Sequence, residues 1–134
     1  MSEKTLKSLG QAICAGDTCT ARRLWDEQRD SAAPLSSAAE QDLFLSAISA
    51  AQKGHTDMCV WLAQDNLPFV SGAQLLSRAI ACFHVSTMHA LMAVAKWPIE
   101  FDVHLRRAVY DGYSNIHMVE ALIEEAAARR HPLS

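Results

Sequence analysis

The sequence predicts an all-α fold. Three observations point to it: an apolar pattern of helical period that recurs four times, a second helical pattern after each copy, and turn residues placed where the two should join. The unit begins with Leu9-x-x-Ala12-Ile13, followed four residues after the alanine by Gly16. It returns as Ala47-x-x-Ala50-Ala51 with Gly54, as Leu76-x-x-Ala79-Ile80 with Phe83, and as Leu105-x-x-Ala108-Val109 with Gly112. Positions i, i+3 and i+4 share one face of an α-helix, so each copy reads as a helix with one buried stripe.

The second helix of each unit is marked by a small or apolar residue three before a leucine: Ala21/Leu24, Cys59/Leu62, Met88/Leu91 and Val119/Leu122. The next position is apolar as well, as Trp25, Ala63, Met92 and Ile123. The fourth copy has two extra residues within Tyr113–His117. The anchoring alanines Ala12, Ala50, Ala79 and Ala108 stand at intervals of 38, 29 and 29 residues. Two helices of ~10 residues and two short connections fit the shorter interval. Ser31–Ala39, rich in Ser, Ala and Pro, accounts for the longer one as an extended connection. The chain 1–134 is thus one domain of four repeats, at about 4–30, 37–66, 71–97 and 100–130.

Helix ends agree with this division. Ser37-x-x-Glu40 and Ser71-x-x-Gln74 read as capping boxes, in which the two side chains satisfy N–H groups of a first turn. Thr18, Thr56, Ser86 and Ser114 are candidate N-caps of the second helices. Gly16, Gly54 and Gly112 stand where a first helix should end in a left-handed residue. The third repeat must make that turn without glycine, through His84 or its neighbours. Pro68 and Pro98 fall between repeats, where a helix should stop.

These residues resemble those of the ankyrin-repeat family. Ala47–Asn66 carries the alanine pair, a Gly-His turn and an acidic residue ahead of the second helix's apolar motif; Ala12–Glu27 and Ala108–Glu125 are similar but weaker. The family's Thr-Pro-Leu-His signature is absent from every copy, and two intervals are four residues shorter than the usual ~33. The resemblance therefore implies a short α-solenoid of about four ankyrin-like helix–turn–helix repeats with β-hairpins trimmed or absent. Another α-solenoid of the same helix-pair logic stays open.

In that family the two positions before the turn glycine commonly face a protein partner. Here they are Cys14 and Ala15, Gln52 and Lys53, Ala81 and Cys82, Tyr110 and Asp111. The expected contacts are Gln52, Lys53, Tyr110 and Asp111, joined by Cys82. Trp61 stands in a row with Arg23, Ala90 and Ala121, and reads either as a surface anchor or as a packing residue. Trp25 belongs to the core row, and Trp97-Pro98 to the plug between repeats three and four.

Composition narrows the function. Half of the residues are apolar, a fifth are charged, and five Gly and four Pro interrupt them, which is a folded chain. A net charge of −3 and a pI near 6.0 oppose nucleic-acid binding, since Arg22–Arg23, Arg106–Arg107 and Arg129–Arg130 are isolated pairs. No stretch approaches the ~20 apolar residues of a membrane span, and Met1–Gln11 is polar where a signal peptide is apolar. A cytoplasmic location is expected, with export by a route lacking a readable signal left open. Cys14, Cys19, Cys59 and Cys82 read as small core hydrophobes of a reducing compartment, a disulfide pair staying formally open.

Motifs for chemistry are absent. Cys14-x₄-Cys19 straddles a helix end and has no second pair, and His84 and His89 are five apart, so no metal site is expected. His55 reads as a turn-stabilising hydrogen-bonder. No Gly-x-Ser-x-Gly, P-loop or Gly-x-Gly-x-x-Gly occurs, and Glu124–Glu125 reads as surface charge. The expectation is a non-enzyme without cofactor that binds another protein through the concave face of the stack. By fold analogy it is a dedicated binder of inhibitor, immunity or effector type. The alternatives are a structural homo-oligomeric subunit (monomer and homodimer both stay open) and, third, a helix–turn–helix nucleic-acid binder. Both terminal repeats read as polar on one side, as caps require.

Overall fold

In a computed structural model of the chain, which describes residues 3–29, 35–110 and 116–129, eight α-helices pack into one body and no strand occurs among the described residues. They are α1 (Glu3–Ala15), α2 (Thr18–Arg29), α3 (Ser37–Lys53), α4 (Thr56–Trp61), α5 (Gly72–Ala81), α6 (Val85–Ala93), α7 (Phe101–Tyr110) and α8 (Ile116–Ala128). A π-helical turn over Leu62–Asn66 continues α4. First helices lie side by side in the order α1, α3, α5, α7, and second helices in the order α2, α4, α6, α8. The repeat read from the sequence is therefore a stack of helix pairs.

The reason for the alanine–glycine spacing lies in the turn. Asp17 N–H donates to Ala12 O at 2.9 Å and Gly16 N–H to Ile13 O at 3.1 Å, while Gly16 sits at φ 75°. This is a Schellman ending, which satisfies two carbonyls that the helix itself leaves open. The same pair of bonds recurs at His55/Ala50 with Gly54/Ala51, and at His84/Ala79 with Phe83/Ile80. The anchoring alanine is thus the residue whose carbonyl closes the turn and whose small side chain lets neighbouring helices approach. In the third repeat Phe83 takes the left-handed conformation, at φ 63°. Gly112 lies outside the described residues.

Because the Schellman turn leads straight into the second helix, the caps sit earlier than the sequence suggested. Asp17, not Thr18, caps α2: its Oδ1 accepts from Thr20 N–H at 3.2 Å and its Oδ2 from the Thr20 hydroxyl at 2.7 Å. His55 and His84 occupy the N-cap positions of α4 and α6, which moves Thr56 and Ser86 into the first turn. Ser36, rather than Ser37, caps α3 by accepting from Ala39 N–H at 3.1 Å. Ser71 caps α5 as expected, through Gln74 N–H. Ser114 lies outside the described residues.

The core runs through the whole stack. Leu9, Ala12, Ala50, Leu62, Ala79, Leu91, Ala108 and Leu122 are buried as expected, whereas Leu24 is only half-buried. Trp25 is in the core, edge-on to Phe69 with ring centroids 6.2 Å apart. Trp97 lies over Gly72 at the start of α5, where a Cβ would stand 2.4 Å from its ring. On the second-helix side, His89 Nδ1 lies 2.5 Å from Glu125 Oε1, and Arg129 bonds both Glu125 and Met92 O, tying α8 to the end of α6. No described helix is long and apolar enough to cross a membrane.

Candidate functional site: the exposed face of the first helices

The positions before each turn come to the surface as a row. Gln52 and Lys53 are exposed at the end of α3, Ala81 is exposed and Cys82 half-buried at the end of α5, and Tyr110 is 82% exposed at the end of α7. Asp111 lies outside the described residues. Two of these residues also join neighbouring repeats. Lys53 Nζ donates to Cys14 O at 3.3 Å, and the Gln52 carbonyl lies 2.7 Å from His84 Nε2. Each bond runs to a carbonyl in the last turn of a first helix, where the chain's own N–H groups have stopped.

The two turn histidines act in the same way. A Cβ on Gly16 would stand 2.7 Å from the His55 ring, and one on Gly54 would stand 2.8 Å from the His84 ring. Glycine is required twice over at both sites, for the left-handed turn and for the ring of the next repeat. His55 is therefore structural through the packing of its ring on Gly16, and not through the turn hydrogen bond its position suggested, since its side chain makes no cap hydrogen bond.

Between α1 and α3 the row opens into a groove of about 810 Å³. Leu6 and Leu43 form its apolar floor, and Lys4, Lys7, Gln11 and Asp42 supply its polar rim. The two helices come closest along its wall at Gly10, where a Cβ would meet Ser46 Oγ at 3.2 Å. Sequence reasoning missed this groove. The signal was present in α1, whose Lys4, Lys7 and Gln11 fall at i, i+3 and i+7 on the face away from Leu9 and Ile13.

Trp61 is not part of any surface. It is 5% exposed, so it is a packing residue and not an anchor. Its row has no common exposure: Arg23 is exposed, Ala90 half-buried and Ala121 buried. A large indole gains more from burial than from water wherever the packing leaves room.

Titratable groups mark structure more than chemistry. Burial holds the His104 imidazole below its ordinary 6.5, with Arg107 adding to the effect and Glu100 opposing it. His104 lines a small cleft of about 40 Å³ with Phe83, Arg107 and Ser77, between α5 and α7. Burial pushes the Cys59 thiol up to about 12. All four cysteines are free thiols, with Cys19 exposed and Cys59 buried. Among the described residues no three His, Cys, Asp or Glu side chains gather in a way that could hold a metal ion. No family model, curated protein or solved structure matches this chain.

Proposed function

We propose that the chain is a short α-solenoid of ankyrin type that binds another protein, without catalysis or cofactor, through the exposed face of its first helices. It would act in a cytosol as a dedicated binder of inhibitor, immunity or effector type. One observation carries this: adjacent first helices leave an open groove with an apolar floor, continuous in sense with a row of exposed residues at their ends. An interface needs an apolar centre that can be dehydrated and a polar rim that sets register. Half-buried Leu6 provides the first, with Leu43 closed beneath it; Lys7, Asp42, Gln52 and Lys53 provide the second. The absence of strands among the described residues suits repeats whose hairpins are trimmed.

Capture of the partner by the full chain, followed by titration with variants, tests the assignment. Tyr110→Ala should weaken the complex by ~1–2 kcal/mol at unchanged Tm, because a rigid exposed ring is the residue type that dominates interfaces. Lys53→Glu should act on the association rate and its salt dependence, since a rim charge steers encounter. If the partner is in hand and both folded variants bind like the wild type, this face is the wrong one.

A further inference from the structure

The last helix pair carries a second surface, at the end of the stack and separate from the groove. In each repeat the first helix places an apolar residue just after its anchoring alanine. It is buried at Ile13, Ala51 and Ile80, and 53% exposed at Val109. The second helix does the same just after its leucine. That row is buried at Trp25, Ala63 and Met92, and 44% exposed at Ile123. The row Ala21, Cys59, Met88 is buried too, and opens at Val119, which is half-buried. In contrast Ala108 and Leu122, which belong to the other side of the pair, stay buried. The side that a following pair covers in repeats one to three is therefore bare in repeat four, and it is still apolar. Ile116, 62% exposed, extends it. This corrects the expectation that both terminal repeats turn a polar side outward.

We propose that this surface is covered by the same surface of a second copy of the chain, in a closed two-fold dimer. Charge selects that occupant and its register. Arg106 lies on α7 three residues before Val109, and Glu120 lies on α8 three residues before Ile123, both exposed. They share a helical face with those apolar residues. Each also lies about one turn from the end where α7 leads to α8, so the two stand at the same level. A two-fold axis running along the helices, between them, sets α7 of each copy on α8 of the other. Arg106 then faces Glu120 twice, around an apolar centre of Val109, Val119 and Ile123. An axis across the helices would set α7 on α7 and α8 on α8, and Arg106 would not meet Glu120. The α7-on-α8 pairing uses the same patch on both partners, closes after two copies and leaves no end open for further growth.

Sedimentation velocity of the full chain over about 1–100 μM tests this, a range that brackets micromolar affinity. The expected species at the upper end has twice the chain's 14.7 kDa. Val109→Glu combined with Ile123→Glu should give a monomer at every concentration. Because both side chains are exposed, its far-UV circular dichroism and Tm should match those of the wild-type monomer. Should that variant lose its fold, Ile116→Glu is the second route to the same reading. Arg106→Glu and Glu120→Arg should each weaken the dimer at least about tenfold, and together restore it, as facing charges do when both are reversed. A wild-type chain that stays monomeric at 100 μM overturns the proposal, as does a dimer indifferent to changes at Val109, Ile116 and Ile123. Failure of the double charge reversal to restore association overturns the α7-on-α8 register.

Discussion

The two ends of the stack obey one template and meet water differently. The first pair, α1 and α2, exposes Lys4, Lys7, Gln11, Arg22, Arg23 and Asp26 and shows no large exposed hydrophobic residue. The last pair shows Val103, Val109, Tyr110, Ile116 and Ile123. A terminal repeat in a stack needs a polar exposed surface to remain soluble alone, and the last pair exposes apolar residues instead. The template specifies which residues face the interior of a pair; what lies beyond an end has to be read from the residues that depart from it.

The comparison holds only if both ends rest on one shared core, and the largest expected effect tests that. Leu62 is fully buried in the second repeat, at the junction of α4 and its π-helical turn. Leu62→Ala should cost about 2–5 kcal/mol, from lost transfer energy and the cavity left behind. Against a typical total of about 5–15 kcal/mol that is a large share. A single cooperative transition at a much lower Tm is expected. An unchanged Tm, or two separate transitions, would mean that the ends fold as independent bodies.

The turns sharpen the contrast at a smaller scale. Gly16 and Gly54, toward the first end, are left-handed glycines; Phe83, toward the last, is a left-handed phenylalanine. Gly54→Ala should destabilise by at least about 1–2 kcal/mol from the turn conformation alone. The His84 ring, 2.8 Å from the new Cβ, adds to it. Phe83→Gly removes the same conformational cost but also removes a ring packed beside Ile80 and His104. The two effects oppose each other, so its net change should stay within about 1 kcal/mol. Thermal melts of the two variants side by side decide whether the third turn is strained or simply built differently.

Acid should affect the two ends in separate steps. His104, in the last pair, titrates below its ordinary 6.5 because it is buried. The unfolded chain therefore binds a proton near 6.5 that the folded chain takes up only at lower pH, and stability falls through that interval. Asp17, at the first turn, is held below its ordinary 3.8, first by the Thr20 hydroxyl and then by the Thr20 N–H. Its contribution is present above 3.8 and is lost as pH falls through the depressed folded value. His104→Gln should flatten the first step and Asp17→Asn the second. If His104→Gln leaves the decline below pH 6.5 unaltered, the burial of that imidazole is not what drives it.

Much of this architecture is legible in the sequence. Helical period and the alanine–glycine interval identified the pairs, because the Schellman turn needs a carbonyl, a left-handed residue and a fixed spacing between them. The sequence sets these caps one or two residues late, because no local signal says that a turn has only two or three residues between its helices. Trp61 was ambiguous because a one-dimensional row carries no information about what packs across it. The groove at Leu6 and Leu43 was invisible for a related reason: it is a gap between helices distant in sequence, set by how closely Gly10 lets α1 approach α3. The rows at Val109 and Ile123 are readable as apolar, but their exposure depends on what packs against them, which a one-dimensional pattern does not carry.

The smallest effect leaves stability untouched and reports on the boundary between surface and core. Cys19 is exposed on the polar first pair, while Cys59 is buried in the second. Thiolate is the species that reacts with an alkylating reagent. With its pKa pushed up to about 12, Cys59 is ionised in about one molecule in ten thousand at pH 8, and the reagent cannot reach it either. Cys19, being exposed, should therefore label readily, and Cys59 only when the stack opens and restores access. In native buffer the Cys59 rate should then follow the opening equilibrium, rising in the Leu62→Ala variant while that of Cys19 stays constant. Mass spectrometry of the labelled peptides over time reads both. If Cys59 labels as fast as Cys19 in the wild type, the second pair is not the closed core on which the two unlike ends are built.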